Sequence, residues 1–320
     1  MEAAGRPRLS AMRLHMKMRK AAPYLHALLD ELTDKSPAAP ERWNGYEFVA
    51  VDATAVSGPG ADGTDARAHT ALRLCDLKFE EVFVDDRSVG ESFKRFQWSE
   101  GQLAIGDRGY ANAPGIGWVV DHGADVLVRV NRGSLPLCDL RGERIDLNRW
   151  VNRLRESVPT ERTISVYDSE KRRWINGRLV AIRLTEAQAQ KARARLRREH
   201  GKSVSATDLE MARYVLLFTT VPQKRLSALQ CVEAYRLRWQ VELQFKRWKS
   251  LCGLDRLPNY RDDTIKSWLY AKVLLGVLLE RMAQSAFPPV PSTRRVLVPA
   301  PAVEADFDPL AHVGRRAVAA

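Results

Sequence analysis

Apolar residues recur at helical spacing over residues 13–32, interrupted by Pro23, and predict a broken N-terminal helix. The stretch Ser36-Pro-Ala-Ala-Pro-Glu predicts a linker. A strand-like run over residues 46–52 ends in Asp52, and Ala53 to Gly60 then reads as a loop. Residues 68–76 and 79–85 predict two more strands, close enough to pair as a meander. Residues 88–98 predict a helix, and 103–107 a short buried strand that again ends in Asp. Residues 114–122 predict a helix and 125–130 a strand. Three strands, helix, strand, helix, strand is an α/β order. It leaves Asp52 and Asp107 at C-terminal strand ends, where an open sheet places its chemistry.

The character changes from about Asn131 to Gln223. Strand-like pieces over 162–167 and 178–184 surround a turn-like Arg173-Trp-Ile-Asn-Gly177, followed by a charged helix over 186–200 and a strand over 213–219. This segment reads as an insertion. A strong helix over 228–251 and a second over 264–286 follow, and beyond Phe287 the chain is Pro-rich and without a clear period.

Composition narrows the classes. The chain has 320 residues, 45% hydrophobic and 28% charged, enough for about two packed domains. A net charge of +12 favours an anionic partner. The four cysteines form no CxxC pair, which argues against a zinc ribbon or a redox motif and fits a reducing compartment. The six histidines make no metal-like cluster. No unbroken apolar run reaches the ~20 residues of a membrane span, so the expected location is cytoplasmic, with no membrane partner.

The predicted helix around residue 240 carries the strongest chemical signal. Tyr235, Arg238, Glu242 and Lys249 fall within an arc of roughly 60° at 3.6 residues per turn. Lys246 borders that stripe, and Val241, Phe245, Trp248 and Cys252 make a neighbouring apolar face. A carboxylate, cations and a phenol on one face suit a metal held beside a phosphate backbone. Mg²⁺ prefers hard oxygen ligands, and an ion pair ~3.5–4 Å apart can serve phosphodiester cleavage. Asp52, Asp107 and Glu242 are the candidate ligands. Plainer readings stand beside these. Asp52 and Asp107-Arg-Gly-Tyr both suit turns, and Glu242 with Lys246 and Lys249 suits solvated helix pairs. The Arg-rich run 191–198 suits a solvated face as well as a DNA contact.

Tyr235-Arg-Leu-Arg238-Trp-Gln-Val-Glu242-Leu-Gln-Phe-Lys-Arg-Trp-Lys249, Asp107-Arg-Gly109-Tyr110 and Asp52-Ala-Thr54 together resemble a bacterial insertion-sequence transposase of the DDE class. The group is the one marked by a Y-x2-R-x3-E-x6-K signature, the insertion-sequence-four family. The resemblance covers about residues 41–285. It implies an α/β fold with an RNase H-like mixed-sheet catalytic core and a mostly β insertion subdomain. The expected layout is a basic N-terminal remnant and linker at 1–40, core at 41–130, insertion at 131–225, core with the Glu242 helix at 226–286, and a loose tail at 287–320. Against the group, the chain is short at its N-terminus and atypical at its C-terminus.

The implied activity is cut-and-paste transposition by a hairpin route, with Mg²⁺ or Mn²⁺, two ions in number, as cofactor. Asp52, Asp107 and Glu242 carry over as metal ligands, and Tyr235, Arg238 and Lys249 as contacts to DNA phosphates. Trp239 and Lys246 match positions in the same signature helix. Trp174 is the candidate to stack on a flipped base. The implied partners are element ends, target DNA and a second copy in a synaptic homodimer. Two alternatives remain open: a catalytically incomplete, truncated transposase acting as a repressor, and a related metal-dependent nuclease.

Overall fold

The computed structural model describes residues 10–33, 43–58, 64–257 and 262–286. The linker expected at 36–41 and the tail expected at 287–320 lie outside the described residues. The N-terminal run folds as two helices, α1 (Ala11–Arg19) and α2 (Ala22–Leu32). Pro23 sits in the first turn of α2, where its missing N–H costs no helical bond.

One eight-stranded mixed sheet organises the chain. Its strands are β1 (Glu47–Val56), β2 (Ala66–Arg73), β3 (Lys78–Asp86), β4 (Gln102–Gly106), β5 (Asp125–Arg129), β6 (Thr160–Asp168), β7 (Arg173–Arg183) and β8 (Tyr214–Thr219). Their spatial order is β3-β2-β1-β4-β5-β8-β7-β6. The pairs β1–β4 and β4–β5 are parallel and the remaining pairs antiparallel. This is the RNase H-like core, continued at the β5 edge by three further strands. The segment expected as an insertion thus adds β8, β7 and β6 to the core sheet rather than closing a sheet of its own. It also carries the short helices α4 (Leu147–Val151) and α6 (Ala206–Met211) and the charged α5 (Glu186–His200), which has the expected bounds.

Side-chain alternation divides the core into two layers. Phe48, Ala50, Leu103, Ile105 and Leu127 face one way, beneath α7 (Ala228–Arg236), α8 (Trp239–Cys252) and α9 (Asp262–Ala286). Val49, Val51, Ala104, Val126 and Val128 face the other way, towards α3 (Ala113–Asp121) and the aromatic group Phe93, Phe96 and Trp98. Among the described residues no helix is long and apolar enough to cross a membrane.

Four local expectations are corrected. The helix expected over 88–98 is a single 3-10 turn, Phe93–Arg95. Its aromatics are spent on the core, and Trp98 Nε1 donates to the Phe93 carbonyl at 2.9 Å. The turn expected at Arg173–Gly177 lies inside β7. The hairpin reverses just before it, where Arg172 takes a φ of +52° and Asp168 accepts from the N–H groups of Glu170 and Lys171. Gly177 is mid-strand because a Cβ there would sit 2.6 Å from both the Phe218 ring and the Thr219 carbonyl.

Asp52 does not end β1, which runs on to Val56 paired with β2. The helix expected over 228–251 is two, because Leu237 and Arg238 bond three residues back, to Ala234 and Tyr235, and tighten the chain between α7 and α8.

His69 on β2 is fully buried, and neither ring nitrogen has a hydrogen-bond partner among the described residues. Burial, with Arg95 and Arg67 nearby, pushes its pKa down to about 3. The folded state thus holds His69 neutral where the unfolded chain is protonated. Its contribution is present above pH ~6.5 and is lost as pH falls towards 3. His69→Leu should flatten this acid limb in melting temperatures recorded from pH 7 to pH 4.

Candidate active site

The ends of β4 and β5 meet the middle of β1 at one place. Ala50 of β1 pairs with Ile105 of β4, so Asp52 and Asp107 stand level on neighbouring parallel strands. The alternation turns both towards the α7–α8 face, and turns Arg129 at the end of β5 the same way. Beyond Gly106 the sheet partner of β1 on that side is gone, and the Asp107 loop fills the gap. Asp107 caps the 3-10 turn Arg108–Tyr110 by accepting from the Gly109 N–H at 2.8 Å. Gly106 is required because a Cβ would lie 2.8 Å from the Phe93 ring and 2.9 Å from Tyr110 Cβ.

Glu242 reaches the site from α8. It is 4% exposed and Asp52 9% exposed. Arg238, between α7 and α8, joins them: Nη1 donates to Asp52 Oδ2 at 3.3 Å, and Nη2 donates to Glu242 Oε1. Burial is the largest influence on Asp52 and raises its pKa well above the usual carboxylate value. Asp107, Glu242 and Glu91 add to that rise and Arg238 opposes it. Burial also works against the Arg238 cation, but Tyr235, Asp52, Glu242 and Asp107 outweigh it and hold the charge firmly in place.

Tyr235 is buried, with Arg238 5.7 Å from its ring centroid. Lys249 is half-buried; burial lowers its pKa, while Asp255 and Asp52 pull the other way. Asp52, Asp107, Glu242, Tyr235, Arg238 and Lys249 are thus brought to one region.

The other three predicted residues are exposed. Trp239 and Lys246 are exposed on α8, and Lys246 forms no ion pair among the described residues. Trp174 lies at the opposite end of the sheet. Through β8, Arg178 stands level with Leu127, and Asp107 stands level with Arg129. Trp174 is displaced the other way along β7, so the two levels differ by roughly 20 Å at about 3.3 Å per residue. Its ring packs on Tyr167 and over Gly142 instead.

Three site residues escaped the sequence reading. Glu91, after β3, places its carboxylate where a Cβ on Gly109 would be, 1.5 Å from Oε2. That contact explains the glycine in Asp107-Arg-Gly-Tyr. Arg108 and Arg129 flank the carboxylates, and burial with Arg108 and Arg238 nearby pushes the Arg129 pKa down to about 9. Only Gly109, two residues after Asp107, hinted at a crowded neighbour.

The donor set suits a hard divalent cation: clustered carboxylate oxygens, one of them with a strongly raised pKa, are what a cation relieves. As placed, no three acidic, histidine or cysteine side chains among the described residues stand close enough to hold an ion together. The Arg238 guanidinium lies between two of them, so Asp52 and Glu242 must exchange this partner to ligate metal.

An RNase H-like sheet with clustered acids at its parallel strand ends defines a class of metal-dependent phosphoryl-transfer proteins. A family profile described as "Transposase DDE domain" matches residues 81–278. The putative transposase InsL of insertion sequence element IS186A from Escherichia coli (strain K12) is 31% identical over 88% of this chain and 78% of its own. The transposase of element IS421 from Escherichia coli matches to the same extent. The transposase of IS231F from Bacillus thuringiensis subsp. israelensis is 38% identical over 30% of this chain and 21% of its own. The chain therefore belongs to the DDE transposase family, whose members depend on divalent metal and act on DNA. Asp52 lies upstream of the profile match, and its place in the site rests on the sheet register.

Arg238→Ala leaves two buried carboxylates without their shared cation. The expected loss of stability without metal is ~3–5 kcal/mol, as for other broken buried pairs. Adding Mn²⁺ should raise the melting temperature of the variant more than that of the wild type. Trp174→Ala should leave strand cleavage unchanged in a nicking assay.

Proposed function

We propose that this protein cuts DNA at the ends of an insertion element and joins the freed ends to a target. Mg²⁺ or Mn²⁺, as two ions held by Asp52, Asp107 and Glu242, is its cofactor. The observation that carries this reading is the level placement of Asp52 and Asp107 on adjacent parallel strands, with Glu242 facing them from α8. When bound, the ions polarise the scissile phosphate and favour ionisation of the attacking oxygen.

The chain's own groups do the rest. Asp52 is fixed within β1, and Asp107 directly after β4, where the Gly109 N–H holds its carboxylate. Glu242 is fixed by a helix packed through Val241, Phe245 and Trp248. With Asp52 and Glu242 holding an ion, Arg238 would be free to hold a DNA phosphate by paired hydrogen bonds. Tyr235 limits how far that guanidinium swings, and Lys249 contributes a second cation on the same side.

The hairpin route and a synaptic homodimer complete the proposal. Their support is the signature Tyr235, Arg238, Glu242 and Lys249 and the likeness to insertion-sequence transposases. The test incubates purified protein with Mg²⁺ and a duplex carrying the inverted repeats that flank its gene. Nicks, hairpins and joined products are the expected species. Nicks without joining would favour a plain nuclease, and binding without any nick a repressor. Glu242→Gln should abolish cleavage and keep DNA binding, because it removes a ligand charge and introduces none.

A further inference from the structure

Thr70 lies in the middle of β2 and is fully buried. Its neighbours on that face of the strand, Ala66, Ala68 and Leu72, are apolar, as is Val82, its partner on β3. Its hydroxyl is buried and has no hydrogen-bond partner among the described residues. Such a hydroxyl costs free energy, and valine would fill the same space without that cost. Packing alone therefore does not call for threonine here.

The strand register supplies a reason. Thr70 is the direct partner of Asp52 across the antiparallel β1–β2 pair. Direct partners share a face, with Cβ atoms about 4.5–5.5 Å apart. A hydroxyl spans that gap to a carboxylate when its staggered χ1 position turns it that way. In the present arrangement Asp52 takes other donors. The Ala53 N–H donates to Oδ1 at 2.8 Å, and Arg238 Nη1 donates to Oδ2 at 3.3 Å. The second distance is long for a charge-assisted bond, usually about 2.7–2.9 Å. Arg238 is thus the looser donor, and its departure leaves Asp52 with acceptor positions to fill.

We propose that Thr70 is a positioning residue for Asp52. Its hydroxyl donates to the carboxylate once Arg238 has left, and holds its orientation while Asp52 binds a divalent cation. The assignment rests on the reading of Asp52 as a metal ligand. Ligating carboxylates are themselves hydrogen-bonded, and loss of such a partner costs about 10–100-fold in metal affinity. The hydroxyl that is unpartnered without metal is the donor held ready for the metal-bound state.

Thr70→Val keeps the shape and removes the hydroxyl, whereas Thr70→Ser keeps the hydroxyl. Both are made in the full chain, and Mn²⁺ affinity is read from the electron paramagnetic resonance of the free ion. Thr70→Val should weaken Mn²⁺ binding about tenfold, and Thr70→Ser should bind as the wild type does. Without metal, Thr70→Val should melt no lower than the wild type, because the hydroxyl it loses has no partner. In an Arg238→Ala background the hydroxyl is already engaged, so there Thr70→Val should lower the melting temperature.

Mn²⁺ affinity unchanged by Thr70→Val overturns the proposal. Weakened binding that serine does not restore overturns it too, since that is an effect of packing. A metal-free melting temperature lowered equally with and without Arg238 would show a hydroxyl already in use, and would also overturn it. If Arg238→Ala does not fold, the Mn²⁺ comparison of the valine and serine substitutions decides alone. Failure of the metal reading is a separate result: Mn²⁺ affinity that Asp52→Asn leaves unchanged.

Discussion

A buried guanidinium between two buried carboxylates joins β1 to the helix that crosses it. Arg238 ties Asp52 on the sheet to Glu242 on α8. Each carboxylate alone would be costly away from water, by several kcal/mol per ion. The shared cation makes their burial tolerable and places α8 on the sheet. In the proposed reaction this cation would leave both carboxylates before they hold metal.

The sheet explains why the site is where it is. Parallel pairing of β1, β4 and β5 brings their C-terminal ends together, and alternation turns Asp52, Asp107 and Arg129 to one face. The helices that cover this face bring Tyr235, Arg238, Glu242 and Lys249 from a distant part of the sequence. The strands between them extend the sheet at the β5 edge.

Much of this was legible in the sequence where periodicity is strong. The strands bearing Asp52 and Asp107, the charged helix α5 and the order of the core elements follow from the apolar pattern. The four signature residues share a site because their spacing survives the step between α7 and α8. The failures have local causes. Residues 88–98 have apolar spacing that suits a helix, but Phe93, Phe96 and Trp98 are drawn into one aromatic core. Arg173–Gly177 has turn-forming residues, yet its glycine answers close packing against Phe218. Trp174 was chosen as a tryptophan in a turn-like stretch of the expected insertion, and only the pairing of β5, β8 and β7 reveals its distance from Asp107 along the sheet. Glu91 and Arg129 are single charges without a pattern, and only tertiary proximity gives them meaning.

The central claim is that Asp52, Asp107 and Glu242 form one divalent-metal site from which Arg238 withdraws. Mn²⁺ binding, followed by electron paramagnetic resonance of the free ion during titration, tests it most directly without relying on turnover. The account predicts that Asp52→Asn, Asp107→Asn and Glu242→Gln each weaken Mn²⁺ binding, and that Arg238→Ala strengthens it. Binding that is indifferent to any one of the three carboxylates, or weakened by loss of Arg238, would contradict the account.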